Sequence, residues 1–186
     1  MSSPNQITPA NIGAYFFMEK LSPQNVNEGF CCFIEEYNEY LLRDALRSHT
    51  DHVALTWVLR ERDGGKIAAY MALIADAIKL SFSEKELHNL DYPFKTIPAM
   101  KIAKLAVSAV FREKFSGIGT SMIFAAHCIA RSCNDHYFAA RFLTVDADIE
   151  HDEGVLSFYQ KTGFLQNAEL YNKNRKTISM RLDLYS

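Results

Sequence analysis

At 186 residues, with 48 % hydrophobic and 23 % charged residues, the chain is the size of one domain and long enough to bury a substantial core. Its 20 basic and 22 acidic residues leave a net charge of −2, which offers no electrostatic footprint for bulk nucleic-acid binding, so a nucleic-acid partner is not expected. No apolar run is long enough to cross a membrane, and the polar start MSSPNQITPAN lacks the regions of a secretory leader; a cytoplasmic protein without a membrane partner is expected. The 4 cysteines, Cys31, Cys32, Cys128 and Cys133, lack zinc spacing and read as free thiols.

No repeat, low-complexity tract or linker divides the chain, so residues 1–186 read as one domain with a flexible start over 1–12. A first strand is expected at Ala14–Glu19. A long helix follows from Val26 to Ser48, with Phe30, Phe33, Ile34, Tyr37, Leu41, Leu42 and Ala45 near helical spacing. Strand His52–Glu61, the turn Arg62-Asp63-Gly64-Gly65 and strand Lys66–Ile78 form a hairpin, because Asp-Gly between two apolar runs suits the tight hairpin turns. Residues 81–99 read as irregular, with a short helix at Ser83–Asn89 and a turn at Asp91-Tyr92-Pro93.

The most informative stretch is Leu105 to Ser121. The apolar run Met100–Val110 reads as a buried strand, and the basic turn after it opens into a helix over 117–133. A strand that passes to a helix N-terminus through Gly117-Ile118-Gly119 presents several backbone N–H groups at the positive end of the helix dipole. That combination favours an anion, and a phosphate-bearing ligand on residues 115 to 121 is the inference; a turn needing glycine only for its backbone angles is the alternative. The spacing fits neither a nucleotide-hydrolysing phosphate loop nor a dinucleotide fold. A strand at Ala140–Val145 follows, then a helix at Glu153–Lys161 with Asp152 as N-cap and Gly163 as left-handed C-cap. Strands at Phe164–Asn167 and Lys176–Leu184 close the chain. The element order implies an α/β fold, with a mixed central sheet of about six to seven strands, helices on both faces, and 100–110 parallel to 140–145.

Two motifs, at the right separation, resemble the GCN5-related N-acetyltransferase (GNAT) family: Lys114-Phe115-Ser116-Gly117-Ile118-Gly119, and Phe158-Tyr159-Gln160-Lys161-Thr162-Gly163-Phe164. The resemblance covers roughly residues 50 to 184 in element order. It implies a GNAT-like domain with a splayed parallel strand pair and acetyl-CoA as co-substrate, with no metal. Backbone groups of Leu105 and Val107 would hold the pantetheine, and the Val107 N–H would polarise the thioester carbonyl. Amides of Ser116, Gly117, Ile118, Gly119 and Thr120 would hold the pyrophosphate, and Tyr159 would protonate the departing thiolate. Two extra residues precede the glycines. Counted from the strand, Arg112 takes the family's Gln/Arg place; counted back from the glycines, Lys114 does.

For the acceptor, the loop Val145 to Gly154 carries Asp146, Asp148, Glu150, His151, Asp152 and Glu153. It reads either as an acidic mouth for a cationic amine or as a solvated loop. Glu35, Glu36 and Glu39 are alternative contributors. The segments IPAMKIAKLAV, KIAAYMALIADAIKL and SFYQKTGF resemble the bacterial branch that includes toxins acetylating aminoacyl-tRNA, though the net charge of −2 sits poorly with a tRNA partner. The expected function is therefore N-acetylation of a small-molecule or protein amine. A toxin acting on aminoacyl-tRNA is the alternative, and a non-catalytic acyl-CoA-binding module is a third reading. A homodimer is compatible with all three.

Overall fold

The computed structural model describes residues 4–24, 26, 29–168 and 176–186. The strand order of the main, seven-stranded sheet is β2-β3-β4-β5-β7-β9-β8, formed by Phe16–Lys20 (β2), Leu55–Glu61 (β3), Ile67–Ile78 (β4), Ile97–Val107 (β5), Phe142–Asp148 (β7), Thr177–Asp183 (β9) and Leu165–Gln166 (β8). The pairing is mixed, with β2, β3 and β4 antiparallel in turn, β5 and β7 parallel, and β7, β9 and β8 antiparallel. The chain divides into two compact units, residues 1–74 with 103–125 and residues 75–102 with 126–186.

In the first unit the Asp63-Gly64 hairpin forms as its sequence predicts, with β3 and β4 in register from Leu55↔Leu73 to Arg60↔Ile67 and a bulge between Leu59 and Arg60. The β4 residues Ile67 to Leu73 are buried without alternation, the pattern of a strand covered on both faces. Tyr70 is the centre of this core. Its ring meets Phe30 edge-on at 5.3 Å, and its hydroxyl donates to the Tyr37 carbonyl at 2.8 Å. Burial, above all, raises its pKa, so the hydroxyl stays a neutral donor.

The first long helix is shorter than its apolar spacing predicts. Helical structure runs over Glu35–Glu39 (α2), a π-helical turn at Tyr40–Asp44, and Ala45–Thr50 (α3); of the expected earlier part, Asn27 and Glu28 lie outside the described residues. The run Phe30 to Ile34 is instead non-helical, with a bend at Phe33 and extended backbone at Ile34 (φ −111°, ψ 112°). Cysteine, phenylalanine and isoleucine are weak helix formers, whereas Glu35 and Glu36 suit a first turn. The buried Asn38 side chain fixes this non-helical run: its Oδ1 accepts from the Cys32 N–H at 2.8 Å and its Nδ2 donates to the Cys32 carbonyl at 3.2 Å.

The apolar run read as a strand to Val110 also divides differently. Strand β5 ends at Val107, and Ala109–Lys114 is a short helix (α5). The Ser108 amide donates to the Ala68 carbonyl at 2.8 Å and the Ala109 amide to the Cys31 carbonyl at 2.9 Å, so the chain leaves the strand there. Phe111 then turns inward against Phe16, with ring centroids 5.8 Å apart. Two residues, Phe115–Ser116 (β6), precede helix α6 (Ile118–His136). Near the start of the chain, Asn5–Gln6 (β1) pairs in parallel with β6, and Ile7 is buried. A one-turn helix at Ile12–Tyr15 (α1) leads into β2, which therefore begins two residues later than read from the sequence.

In the second unit the parallel βαβ pairing is present: β5 pairs β7 from Ala99↔Phe142 to Ile102↔Val145. Helix α4 (Phe82–Leu87) opens with a reciprocal capping box between Ser81 and Glu84. Glu84 also reaches the buried Arg181 of β9, Oε1 to Nη1 2.6 Å, with side chains 8 % and 3 % exposed. Helix α7 (Val155–Lys161) has Gly154, not Asp152, at its N-cap position; the Asp152 carboxylate accepts the Gly154 amide at 2.8 Å from two residues earlier. Its C-terminal end follows the sequence, with Gly163 left-handed at φ +93° and the Phe164 amide returning to the Tyr159 carbonyl at 3.0 Å.

Candidate functional site

The candidate residues of the first unit form one continuous path. Leu105 and Val107 lie half-buried at the end of β5, separated by buried Ala106. The parallel pairing of β5 ends at Ile102, while β5 itself continues to Val107. Arg112 and Lys114 are both on α5, two positions and thus roughly 200° of rotation apart, so they leave the helix from different sides. The Arg112 guanidinium lies 5.6 Å from the Phe33 ring centroid, and the Lys114 Nζ lies 5.9 Å from that of Phe111. Neither has a carboxylate partner among the described residues. Lys104, by contrast, is paired to Glu36 at 2.7 Å, and Arg60 to Glu19 at 2.6 Å. Two cations without counter-charges therefore precede the glycine turn.

At the turn the Ser116 carbonyl accepts the Ile7 N–H at 2.7 Å, and the Gly117 carbonyl accepts the Ser121 N–H at 3.0 Å as the first bond of α6. The amides of Ile118, Gly119 and Thr120 belong to the first turn, where a helix supplies no acceptor of its own. The Ile118 side chain is buried in the core, so only its backbone is available. Gly117 has φ +86°, and a Cβ there would run into the Ile7 carbonyl oxygen. The glycine is thus required by the chain's own packing, which is the alternative weighed from the sequence; the case for an anion rests on the amides and cations. It gains a residue that sequence reasoning missed. Ser121 is buried, and its Oγ has no hydrogen-bond partner among the described residues, an orphaned donor in the first turn of α6. Its only sequence signal is a hydroxyl next to Thr120 in a helix whose neighbouring positions are apolar.

In the second unit Tyr159 sits on α7, 6 % exposed. Its ring packs edge-on against Phe158 at 5.0 Å and Phe164 at 5.3 Å, so the Gly163 cap that returns Phe164 also fixes the tyrosine. In the acidic loop Glu153 is exposed without an ion pair among the described residues, while the other carboxylates are engaged. Asp146 pairs with Lys101 at 2.5 Å, Asp148 with His151 at 2.9 Å and Glu150 with Lys176 at 2.9 Å, while Asp152 accepts the Gly154 amide. Of the other acidic candidates, in the first unit, Glu36 pairs with Lys104, Glu39 with Arg43, and Glu35 accepts from Asn38. Among the described residues no group of histidine, cysteine and acidic side chains is placed to hold a metal ion.

This strand order, the parallel β5–β7 pair and the glycine turn into α6 are the fold of the GCN5-related N-acetyltransferases. Among solved structures, a tyrosine-to-phenylalanine mutant of KacT matches with a TM-score of 0.73 at 17 % identity, over 90 % of this chain and 95 % of that one. AtaT complexed with acetyl-methionyl-tRNAfMet matches at 0.72 and 18 % identity, over 88 % and 93 %. AtaTR bound with acetyl-CoA matches at 0.70 and 19 % identity, over 90 % and 94 %. No protein-family model and no curated protein matches the chain. Among the described residues no helix is long and apolar enough to cross a membrane.

Proposed function

We propose that the chain is an acetyl-CoA-dependent N-acetyltransferase. The observation that carries the reading is the turn into α6, where first-turn amides, the orphaned Ser121 Oγ and the uncompensated Arg112 and Lys114 collect on one stretch of chain. That donor set suits the phosphate groups of an acyl-CoA, a doubly charged pyrophosphate at the amides among them. The likeness to AtaTR, solved with acetyl-CoA, supports the same ligand. Bound there, acetyl-CoA supplies an activated acetyl group as a thioester.

The chain's own groups would then act as follows. The amides of Gly117 to Thr120 hold the pyrophosphate, with Ser116 contributing less because its strand pairs with β1. Leu105 and Val107 offer backbone groups of β5 beyond its pairing with β7, and the Val107 N–H donates to the thioester oxygen as negative charge develops there. The acceptor amine forms the new C–N bond, the C–S bond breaks, and Tyr159 delivers its phenolic proton to the sulfur. The amine's own proton leaves to water or base.

For the acceptor we favour the amino group of an aminoacyl-tRNA over a free cationic amine. Most of the acidic side chains that would have drawn a cationic amine are engaged in ion pairs and hydrogen bonds, Glu153 being the exposed one without an ion pair among the described residues. AtaT, of the same fold, is known complexed with acetyl-methionyl-tRNAfMet. The net charge of −2 sums the whole chain, whereas contacts to phosphates are made locally, so it does not oppose a tRNA acceptor.

The test is thiol release from acetyl-CoA over a panel of charged tRNAs, amines, polyamines and peptides, with Tyr159→Phe alongside. Transfer to charged tRNA, reduced roughly a hundredfold or more in kcat by the mutation, is expected. Transfer only to amines or peptides replaces the tRNA assignment. Binding without turnover on any acceptor makes the chain an acyl-CoA-binding module. Full turnover in Tyr159→Phe removes the tyrosine from the acid role.

A further inference from the structure

Phe33 is 70 % exposed, an unusual place for a phenylalanine in a segment that is otherwise tightly held. On one side of it the Cys31 carbonyl accepts the Ala109 amide at 2.9 Å, and Cys32 is clamped through both its N–H and its carbonyl by buried Asn38. On the other side the Ile34 carbonyl accepts the Tyr37 amide at 3.0 Å. The ring is thus held out into solvent by a fixed backbone. Arg112 stands 5.6 Å from its centroid and has no carboxylate partner among the described residues.

We infer that Phe33 and Arg112 together seat the 3′-phosphoadenosine end of the CoA ester, an assignment that rests on the acetyl-CoA reading above. A flat apolar ring offers a stacking face to a purine, and a guanidinium beside it offers a planar fork of donors to a phosphate. The charge is complementary: the 3′-phosphate is a second anionic group, and Arg112 is a second uncompensated cation beside Lys114. The order along the chain also matches the ligand. Arg112 lies in the last turn of helix α5, two residues before its end, and the chain leads from there through Phe115 and Ser116 into the turn proposed to hold the pyrophosphate, so the aromatic–cation pair lies a few residues away from it. In the ligand the adenine and 3′-phosphate lie on the ribose just beyond the pyrophosphate. This divides the two cations between two phosphate groups: Lys114, at the end of α5, serves the turn, and Arg112, on another side of the helix, serves the 3′-phosphate.

The experiment measures dissociation constants for acetyl-CoA and for its 3′-dephospho derivative by titration calorimetry, on the wild-type chain and on Phe33→Ala, Phe33→Tyr and Arg112→Ala. Phe33→Ala is expected to weaken acetyl-CoA binding about tenfold and Phe33→Tyr to restore it, with the thermal midpoint unchanged because the ring is exposed. Removal of the 3′-phosphate is expected to weaken binding by about tenfold in the wild type and by little in Arg112→Ala. Unchanged affinity in Phe33→Ala, or a full 3′-phosphate penalty in Arg112→Ala, overturns the seat while leaving the acetyl-CoA reading standing. A wild-type chain that binds neither ester overturns the acetyl-CoA reading itself, and the seat with it.

Discussion

The carbonyl oxygen of Ile7 occupies the space into which a Cβ on Gly117 would project, and the Ile7 N–H holds the Ser116 carbonyl at 2.7 Å. Residues more than a hundred positions apart in sequence therefore shape the turn at the head of α6. Gly117→Ala is expected to lose about 2 kcal/mol or more in urea unfolding, from the left-handed backbone at φ +86° and from the collision together. Acetyl-CoA affinity should fall with it. Gly117→Asn separates the causes: asparagine tolerates the backbone angle but still carries a Cβ, so it should recover little.

Asn38 is buried and answers both backbone groups of Cys32. Replacing it with alanine leaves the buried Cys32 amide N–H without a partner and its carbonyl with only the weak Cys31 thiol donor, an expected loss of about 2 kcal/mol by chemical denaturation. The same change frees the segment that carries Phe33. It should therefore weaken acetyl-CoA binding in the wild-type background and add little to Phe33→Ala.

Glu84 and Arg181 form a buried pair that also takes in the Ala168 amide, the Asn167 side chain and His88. Glu84→Ala strands a buried guanidinium and should cost about 3–5 kcal/mol. The double variant Glu84→Leu with Arg181→Met removes both charges, and its loss should be clearly smaller than the sum of the single ones. Additive losses would show that the two side chains do not act as a unit.

The same network sets the response to acid. Burial by itself would raise the carboxyls of Glu84 and Asp183. It is outweighed at Glu84 by the amides of Ala168 and Ser81, the Ser81 hydroxyl and Arg181, and at Asp183 by the Tyr185 amide, Arg141 and His88, so both lie below their ordinary values. As pH falls the unfolded chain takes up these protons first. The stability they contribute is thus full above the ordinary carboxylate values, near about 4, and is lost as pH drops through the folded ones. The urea midpoint should decline below about pH 5, and Glu84→Gln should flatten that decline while lowering the midpoint at neutral pH.

Elements whose cause is local were legible in the sequence. The hairpin follows from Asp63-Gly64 between two apolar runs, the end of α7 from Gly163, and the parallel β5–β7 pair from a strand–helix–strand order that allows few other connections. The candidate anion seat was legible for the same reason, since a glycine turn into an apolar-periodic helix is written in adjacent residues. Boundaries were less so. Val110 and Phe111 extend an apolar run, yet they lie on a helix because the Ser108 and Ala109 amides find acceptors at Ala68 and Cys31.

What the chain's sequence determined by itself was its class of fold, its glycine turn and the tyrosine on the last helix, because periodicity, capping and turn chemistry act over a few residues. The tertiary structure alone decided which charges remain available. Lys101 and Asp146 neutralise each other across paired strands, Lys104 is taken by Glu36, and Arg112 and Lys114 are left without carboxylates among the described residues. It also decided that Phe33 is displayed and that Ser121 is left without a hydrogen-bond partner among the described residues. Partners for charges and donors are chosen by distance in space, and the pairs that settled these points lie tens of residues apart along the chain.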